Sequence, residues 1–156
     1  MATFTFTGKT FNIENATLRY RNFAGKESEY NRSGIRKFCL DIEDADLVAF
    51  MRNEGWNVKE RVSNVDENAI TYYIEVIVNT TSSVAPPRVW LITSRSKRLL
   101  SVEELGDLDT AEIKCADIVI NPYRWTVGSK TGIKAYLKDA YITIEEDMFA
   151  AKYDIY

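Results

Sequence analysis

Residues 121–146 read NPYRWTVGSKTGIKAYLKDAYITIEE, and this stretch decides the fold. Two strand-like runs, 118–127 and 133–145, flank Gly128, Ser129, Lys130, Thr131 and Gly132, a short glycine-bounded turn of the kind that joins antiparallel strands. The spacing predicts a β-hairpin. Along the second run, alternation places Lys134, Tyr136 and Lys138 on one face and Ile133, Ala135 and Leu137 on the other. Farther on the apolar set is Ala140, Ile142 and Ile144, so the parity changes after Leu137. A bulge near Lys138 and Asp139 accounts for that change, and bulges bend strands enough to help close a small barrel. In the first run Tyr123, Trp125 and Val127 alternate with Arg124 and Thr126.

Working outward, residues 111–120 lead into this hairpin, and before them residues 99–108 read as a short acidic helix capped by Ser101, with Glu104 placed for a capping box. Residues 89–93 are a strand in which Trp90 and Ile92 share a face, followed by the basic loop SRSKR. ITYYIEVIVN at 70–79 has strong strand propensity, and residues 80–87 form a turn stiffened by Pro86 and Pro87. Residues 56–62 are a short strand. Asp44 is a good N-cap for a helix that presents Leu47, Phe50 and Met51 on one stripe and stops at Gly55. Residues 35–42 are a strand with Phe38, Leu40 and Ile42 facing the core, and residues 11–21 are read as one strand with Arg19 and Arg21 opposite Leu18 and Tyr20. Between those two strands lies a loop, 22–34, whose Phe23 and Tyr30 either clamp a ligand ring or tuck beneath the loop. Residues 1–10 are an edge strand or an arm.

At 156 residues, with 46% hydrophobic and 28% charged residues, the chain is expected to form one domain with a real core. The domain is assigned to residues 1–144 and a tail to residues 145–156. No apolar run is long enough for a spanning helix and no signal-peptide pattern opens the chain, which points to an intracellular protein with no membrane partner. Histidine is absent, removing the usual general base, the commonest metal ligand and every imidazole triad. Cys39 and Cys115 lack knuckle or redox spacing and are read as buried reduced thiols. VGSKTGIK lacks the spacing of a phosphate loop and lies between strands. Neither a catalytic site, a metal site nor a cofactor is expected.

The net charge of −3 conceals a segregation. Arg19, Arg21, Lys26, Arg32, Arg36 and Lys37 face only Glu27 and Glu29 between residues 19 and 38; Arg88, Arg95, Lys97 and Arg98 form a second basic cluster, and Arg124, Lys130, Lys134 and Lys138 a third. The tail carries the whole formal excess, and Asp147, Phe149, Tyr153 and Tyr156 make it acidic and aromatic. Local fields follow this distribution more than the total. The composite is mainly β: an OB-like, five-stranded or slightly elaborated antiparallel barrel with one or two short helices and an acidic C-terminal tail. Basic strands interleaved with Tyr and Trp suit such a barrel to stacking unpaired bases and neutralising their phosphates.

Asn121, Pro122, Tyr123, Trp125, the turn glycines and the run from Gly132 to Lys138 followed by ITIEED resemble a block shared by bacteriophage-encoded single-stranded DNA-binding proteins with an OB fold; PPRVWLITSRSK is similar to a second. The resemblance covers most of the chain from Arg21 onward. It implies a phage replication or recombination protein in the bacterial cytoplasm, with a tail that recruits phage or host replication and recombination proteins. This tail ends in aromatic residues, unlike the more familiar tip of bacterial homologues, so no particular partner carries over.

The candidate DNA-binding set is therefore Arg19, Arg21, Arg36, Lys37, Arg88, Arg124, Lys130, Lys134 and Lys138 at phosphates and Tyr123, Trp125 and Tyr136 at bases, with Tyr20 and Trp90 as further rings. Tyr136 has the best case because it shares a face with two lysines; burial is the expected fate of Tyr20, Trp90 and Trp125. The reading requires Arg19, Arg124, Lys134 and Lys138 to meet in one groove. RNA is the other single-stranded candidate, and an unpaired barrel edge could support a homodimer. The alternative is a small phage protein-interaction module that inhibits or recruits a host protein, its contacts made by the acidic helices and by the aromatic tail, where Asp147, Phe149, Tyr153 and Tyr156 are the partner-binding residues.

Overall fold

The hairpin forms, and the rest of the sheet is laid against it. The computed structural model describes residues 2–29, 32, 34–63, 65, 69–81 and 86–145. In chain order the elements are β1 (Thr3–Phe6), β2 (Phe11–Glu14), β3 (Leu18–Asn22), β4 (Lys37–Ile42), α1 (Ala45–Glu54), β5 (Lys59–Val62), β6 (Ile70–Ile77), β7 (Arg88–Ile92), β8 (Lys97–Leu99), a 3-10 helix at Val102–Asp109, β9 (Ile113–Val127) and β10 (Lys130–Ile144). The tail residues Asp147, Phe149, Tyr153 and Tyr156 and the loop residue Tyr30 lie outside the described residues.

Strands β9 and β10 are joined through Gly128 and Ser129 alone, with Val127 opposite Lys130. Gly128 has a φ of 62°, which a two-residue hairpin loop demands of its first central residue and which glycine supplies without a Cβ clash. The expected bulge is present: Leu137 opposes Ile120 and Asp139 opposes Val119, so Lys138 has no partner residue. Its effect on burial is direct. Ala135 and Leu137 point into the core before the bulge, and Ala140 and Ile142 do so after it.

The sheet runs β1-β2-β9-β10-β6-β4-β3, with β5 paired to β6 and β7 paired to β10 and β8. It is of OB type and mainly β, as expected, and among the described residues its ladder does not close. Two features depart from a five-stranded antiparallel barrel. Ten strands are present among the described residues, and β10 pairs in parallel with β6 at Ala135–Tyr136 and with β7 at Asp139–Thr143. The strand expected over residues 11–21 is broken because Asn15 adopts a φ of 56°, a left-handed conformation Asn tolerates, and Ala16 N–H then donates to Ala116 O. Residues 3–6 are an edge strand paired with β2.

One face of the sheet carries the core: Phe11, Ile13, Phe38, Leu40, Ile74, Val76, Ile118 and Ile120 are all at most 2% exposed. Asp44 caps α1 by accepting from Asp46 N–H at 2.9 Å and Leu47 N–H at 3.3 Å, and Gly55 ends it with a φ of 108°. Val48 and Met51 are the buried helix residues. Phe50, expected on that stripe, stays half-exposed and meets Phe6 edge-on at 5.4 Å, because β1 lies beside this turn of the helix. The acidic helix is 3-10, not α; Ser101 donates its N–H and hydroxyl to Glu104 at 3.1 and 3.0 Å. Arg98 and Ser101 together hold the Glu104 carboxyl down to about 2. Phe23 tucks inward, stacked 5.3 Å from Phe38, which removes it as a ligand clamp. The two cysteines are free and half-buried, less enclosed than expected.

Deleting Lys138 removes the extra residue that reconciles the two halves of β10. Either Ala140 and Ile142 turn outward or the ladder re-forms with a strained bulge, so the melting temperature should fall steeply in a calorimetric or circular-dichroism melt. A deletion that melts like the parent would show that the parity change is not held there.

Candidate nucleic-acid interface

Residues directly opposed in an antiparallel ladder share a face. Trp125 opposes Gly132, Tyr123 opposes Lys134, and Asn121 opposes Tyr136, while Ile133, Ala135 and Leu137 take the buried side. The outward face of the hairpin therefore carries Lys130, Lys134, Tyr136, Tyr123 and Trp125. Tyr123 is 57% exposed and meets Tyr136 edge-on, centroids 5.9 Å apart at 81°. Trp125 lies over Gly132 so closely that a Cβ there would stand 2.7 Å from the indole Cζ2. Glycine at 132 is what lets the ring lie down.

The same row continues across the sheet. Tyr136 opposes Ile77, Ile77 opposes Lys37, and Lys37 opposes Asn22. At about 4.8 Å per strand, the distance from Asn121 to Asn22 is about 19 Å, enough for several nucleotides of an extended strand. Glu75, one pleat away on the same face, accepts from Lys59 at 3.2 Å and stands 3.8 Å from Lys37. A groove of about 790 Å³ is lined by Tyr20, Lys37, Cys39, Arg61, Tyr73 and Glu75, and a cleft of about 140 Å³ joining Lys59, Glu75, Ile77 and Lys134 links it to the hairpin. Burial first, then Glu75, pushes the Cys39 thiol up, so that side chain adds no charge to the groove.

The remaining candidate cations are placed differently. Arg19 donates to Asp41 at 2.7 Å, and Arg88 forms two hydrogen bonds to Asp139 at 2.8 and 3.3 Å. Those hydrogen bonds, more than the accompanying charge attraction, raise both guanidinium values. Arg21 donates to the carbonyls of Leu108 and Ala111, and Arg36 to that of Phe23. Arg124 opposes Ile133, on the other side of the hairpin from Lys134, and pairs with Glu54 at 3.5 Å. Lys138 is exposed at the bulge. A single groove uniting Arg19, Arg124, Lys134 and Lys138 does not form: one residue of parity sends Arg124 to the opposite face. Trp90 and Trp125 are half-buried, and Tyr20, expected in the core, is 67% exposed. Lys59 and Arg61 join the outward face although the sequence reading passed over them; their alternation in a short strand was the available signal. Among the described residues no cluster of acidic and cysteine side chains could hold a metal ion.

A mainly β sheet of OB type that presents rings and ammonium groups on one outward face defines a protein of the single-strand-binding class. The sequence matches the phage ssDNA-binding domain model over residues 5–155, and the chain belongs to that family; single-stranded DNA binding is the function this assigns to it. The family decides between the two readings of the sequence. Among solved structures, the chain is similar to the single-stranded DNA-binding protein from bacteriophage Enc34 in complex with ssDNA, at 13% identity over 90% of this chain and 89% of that one, TM-score 0.56. It is similar to the same phage protein in a second structure, at 11% identity over 94% and 92%, TM-score 0.55. At such identities the likeness is one of fold. No curated protein sequence matches the chain significantly.

Two substitutions probe the face. Gly132→Ala should displace Trp125, shifting its fluorescence emission and weakening oligo-dT binding while the protein still melts cooperatively; an unchanged emission spectrum would contradict the close approach. Glu75→Gln removes the one acid between Lys37 and Lys59 and should tighten oligo-dT binding about two- to fivefold at low salt, the scale of one exposed charge. The gain should vanish at high salt.

Proposed function

We propose that the chain coats single-stranded DNA without sequence preference, through phosphates held by Lys37, Lys130, Lys134 and Lys138 and bases stacked on Tyr136, Tyr123 and Trp125. The observation that carries this reading is the row of opposed residues linking Tyr136 through Ile77 to Lys37, with Lys134 and Tyr123 one pleat away. Ring faces accept any base, and lysine ammonium groups on flexible stems follow a backbone without demanding one geometry. Arg19 and Arg88 support the same face from its margins: each spends its fork on an aspartate, yet their side chains are 51% and 59% exposed.

The chain serves phage DNA replication or recombination as a binding protein, not a catalyst, and works in the cytoplasm of the bacterial host. Among the described residues no helix is long and apolar enough to cross a membrane. The acidic, aromatic residues Asp147, Phe149, Tyr153 and Tyr156 form the segment through which replication or recombination proteins are recruited, a reading supported by composition alone. Domain 1–144 is the DNA-binding part and 145–156 the recruiting part.

Titration of intrinsic tryptophan fluorescence with oligo-dT and oligo-U at two salt concentrations tests the reading. Tyr136→Ala should cost about 1–3 kcal/mol of oligo-dT affinity if one base stacks on it. The logarithm of affinity should fall with the logarithm of salt by about 0.7 per phosphate neutralised, and Lys130→Ala with Lys134→Ala should flatten that slope. Parent-like affinity and slope in both variants would remove the hairpin from the interface.

A further inference from the structure

We propose that the groove between Tyr20 and Tyr73 is a second nucleobase site, at the far end of the strand's path from the hairpin, and that the Arg61 guanidinium occupies the place of a base until DNA arrives. The proposal rests on the reading of the outward face as the DNA interface.

Strand β3 bulges against β4: Arg19 opposes Cys39 and Asn22 opposes Lys37, so three steps on one strand match two on the other. Tyr20 lies in that bulge with a φ of 51°. A left-handed residue at a bulge is ordinarily glycine, because an L side chain there crowds its own backbone. The core gains nothing in return, since the Tyr20 ring is 67% exposed. Strain at an exposed aromatic, with no core packing to justify it, marks a side chain held out for contact with something else.

What the ring touches indicates the ligand. The Arg61 Cζ lies 4.6 Å from the Tyr20 centroid and 4.5 Å from the Tyr73 centroid, and Arg61 makes no ion pair among the described residues. A guanidinium is flat and delocalised and lies against aromatic faces as a nucleobase does. Two ring faces now engaged by a planar cation can accept a planar base instead, and the displaced arginine, still in the groove, is then available to a phosphate. The groove's volume of about 790 Å³ lies within the range that encloses ligands of nucleotide size or larger. Lys37, which lines it, is two strands from Tyr136 in the row already described. The strand thus passes from the hairpin rings over Lys37 to Tyr20.

The test uses Tyr20→Gly in the full-length chain, with Tyr20→Phe and Tyr136→Ala as companions, measured against oligo-dT of about 4 and about 16 nucleotides, the two ends of the range one such fold covers. Glycine accepts the φ of residue 20, so Tyr20→Gly should melt no lower than the parent. Its affinity for the long oligomer should fall about 5- to 150-fold, the loss of one stacked base, and that for the short one, which the hairpin alone can hold, much less. Tyr20→Phe should restore long-oligomer binding. If Tyr20→Gly binds both lengths like the parent while Tyr136→Ala is impaired, the second site is wrong and the hairpin interface stands. If neither variant is impaired, the interface reading itself fails. A Tyr20→Gly protein that melts well below the parent would make Tyr20 a structural residue and overturn the proposal.

Discussion

The structure depends on one unopposed residue. Without Lys138, the strand from Lys130 to Ile144 could bury Ala135 and Leu137 or Ala140 and Ile142, but not both pairs on one face. With it, a single strand serves β6 through its first half and β7 through its second, in parallel on the same edge, while β9 runs along the other. The bulge also shapes the proposed interface. It keeps Lys134 and Tyr136 outward while the strand that carries them is anchored by core residues on both sides of the kink. Where Asp139 would otherwise be a carboxylate stranded at 6% exposure, Arg88 closes over it with two hydrogen bonds and fastens β7 to β10.

Arginine and lysine divide the positive charge by geometry. Arg19, Arg21, Arg36 and Arg88 each aim a rigid fork at a fixed acceptor: Asp41, the carbonyls ending the 3-10 helix, the carbonyl of Phe23, and Asp139. Backbone carbonyls in irregular segments need such donors, and a planar fork loses little freedom in supplying them. Lys130, Lys134 and Lys138 are exposed and make no ion pair among the described residues. That arrangement keeps the mobile, point-like charges at the surface, where the proposed interface uses them for a phosphate chain whose positions vary, and it commits the directional ones to the frame.

The elements most legible in the sequence were those fixed by neighbours along the chain. The hairpin turn, the bulge inferred from a change of parity, the Asp44 cap with its Gly55 stop, and the Glu104 capping box all follow from residues within a few positions of each other. The parallel pairings and the number of strands were not legible, because alternation specifies a face and not a partner. The same limit governed the arginines. Arg19 finds Asp41 22 residues away and Arg88 finds Asp139 51 residues away, so their commitment to the frame is invisible until the sheet is assembled. Arg124 was misplaced by one step of alternation, and Tyr20 because a left-handed tyrosine breaks the rule from which its burial was inferred.

A protein with a net charge of −3 binds a polyanion only if its charges are sorted, and the sorting here works over short distances. At physiological salt a charge is felt over about 8 Å, so acids farther than that from the outward face contribute little to the potential over it. Glu75 is the exception, set within the face itself. It holds the ammonium groups of Lys59 and Lys37 on either side of β6, orienting both and leaving the trio with one net positive charge. On the proposed interface a carboxylate at this position opposes the strand's phosphates, but it also keeps two flexible lysines from wandering and offers them a resident counter-ion when the strand departs. For a protein that binds single-stranded DNA, a face whose cations are partly pre-paired is better suited to exchange than a uniformly basic one.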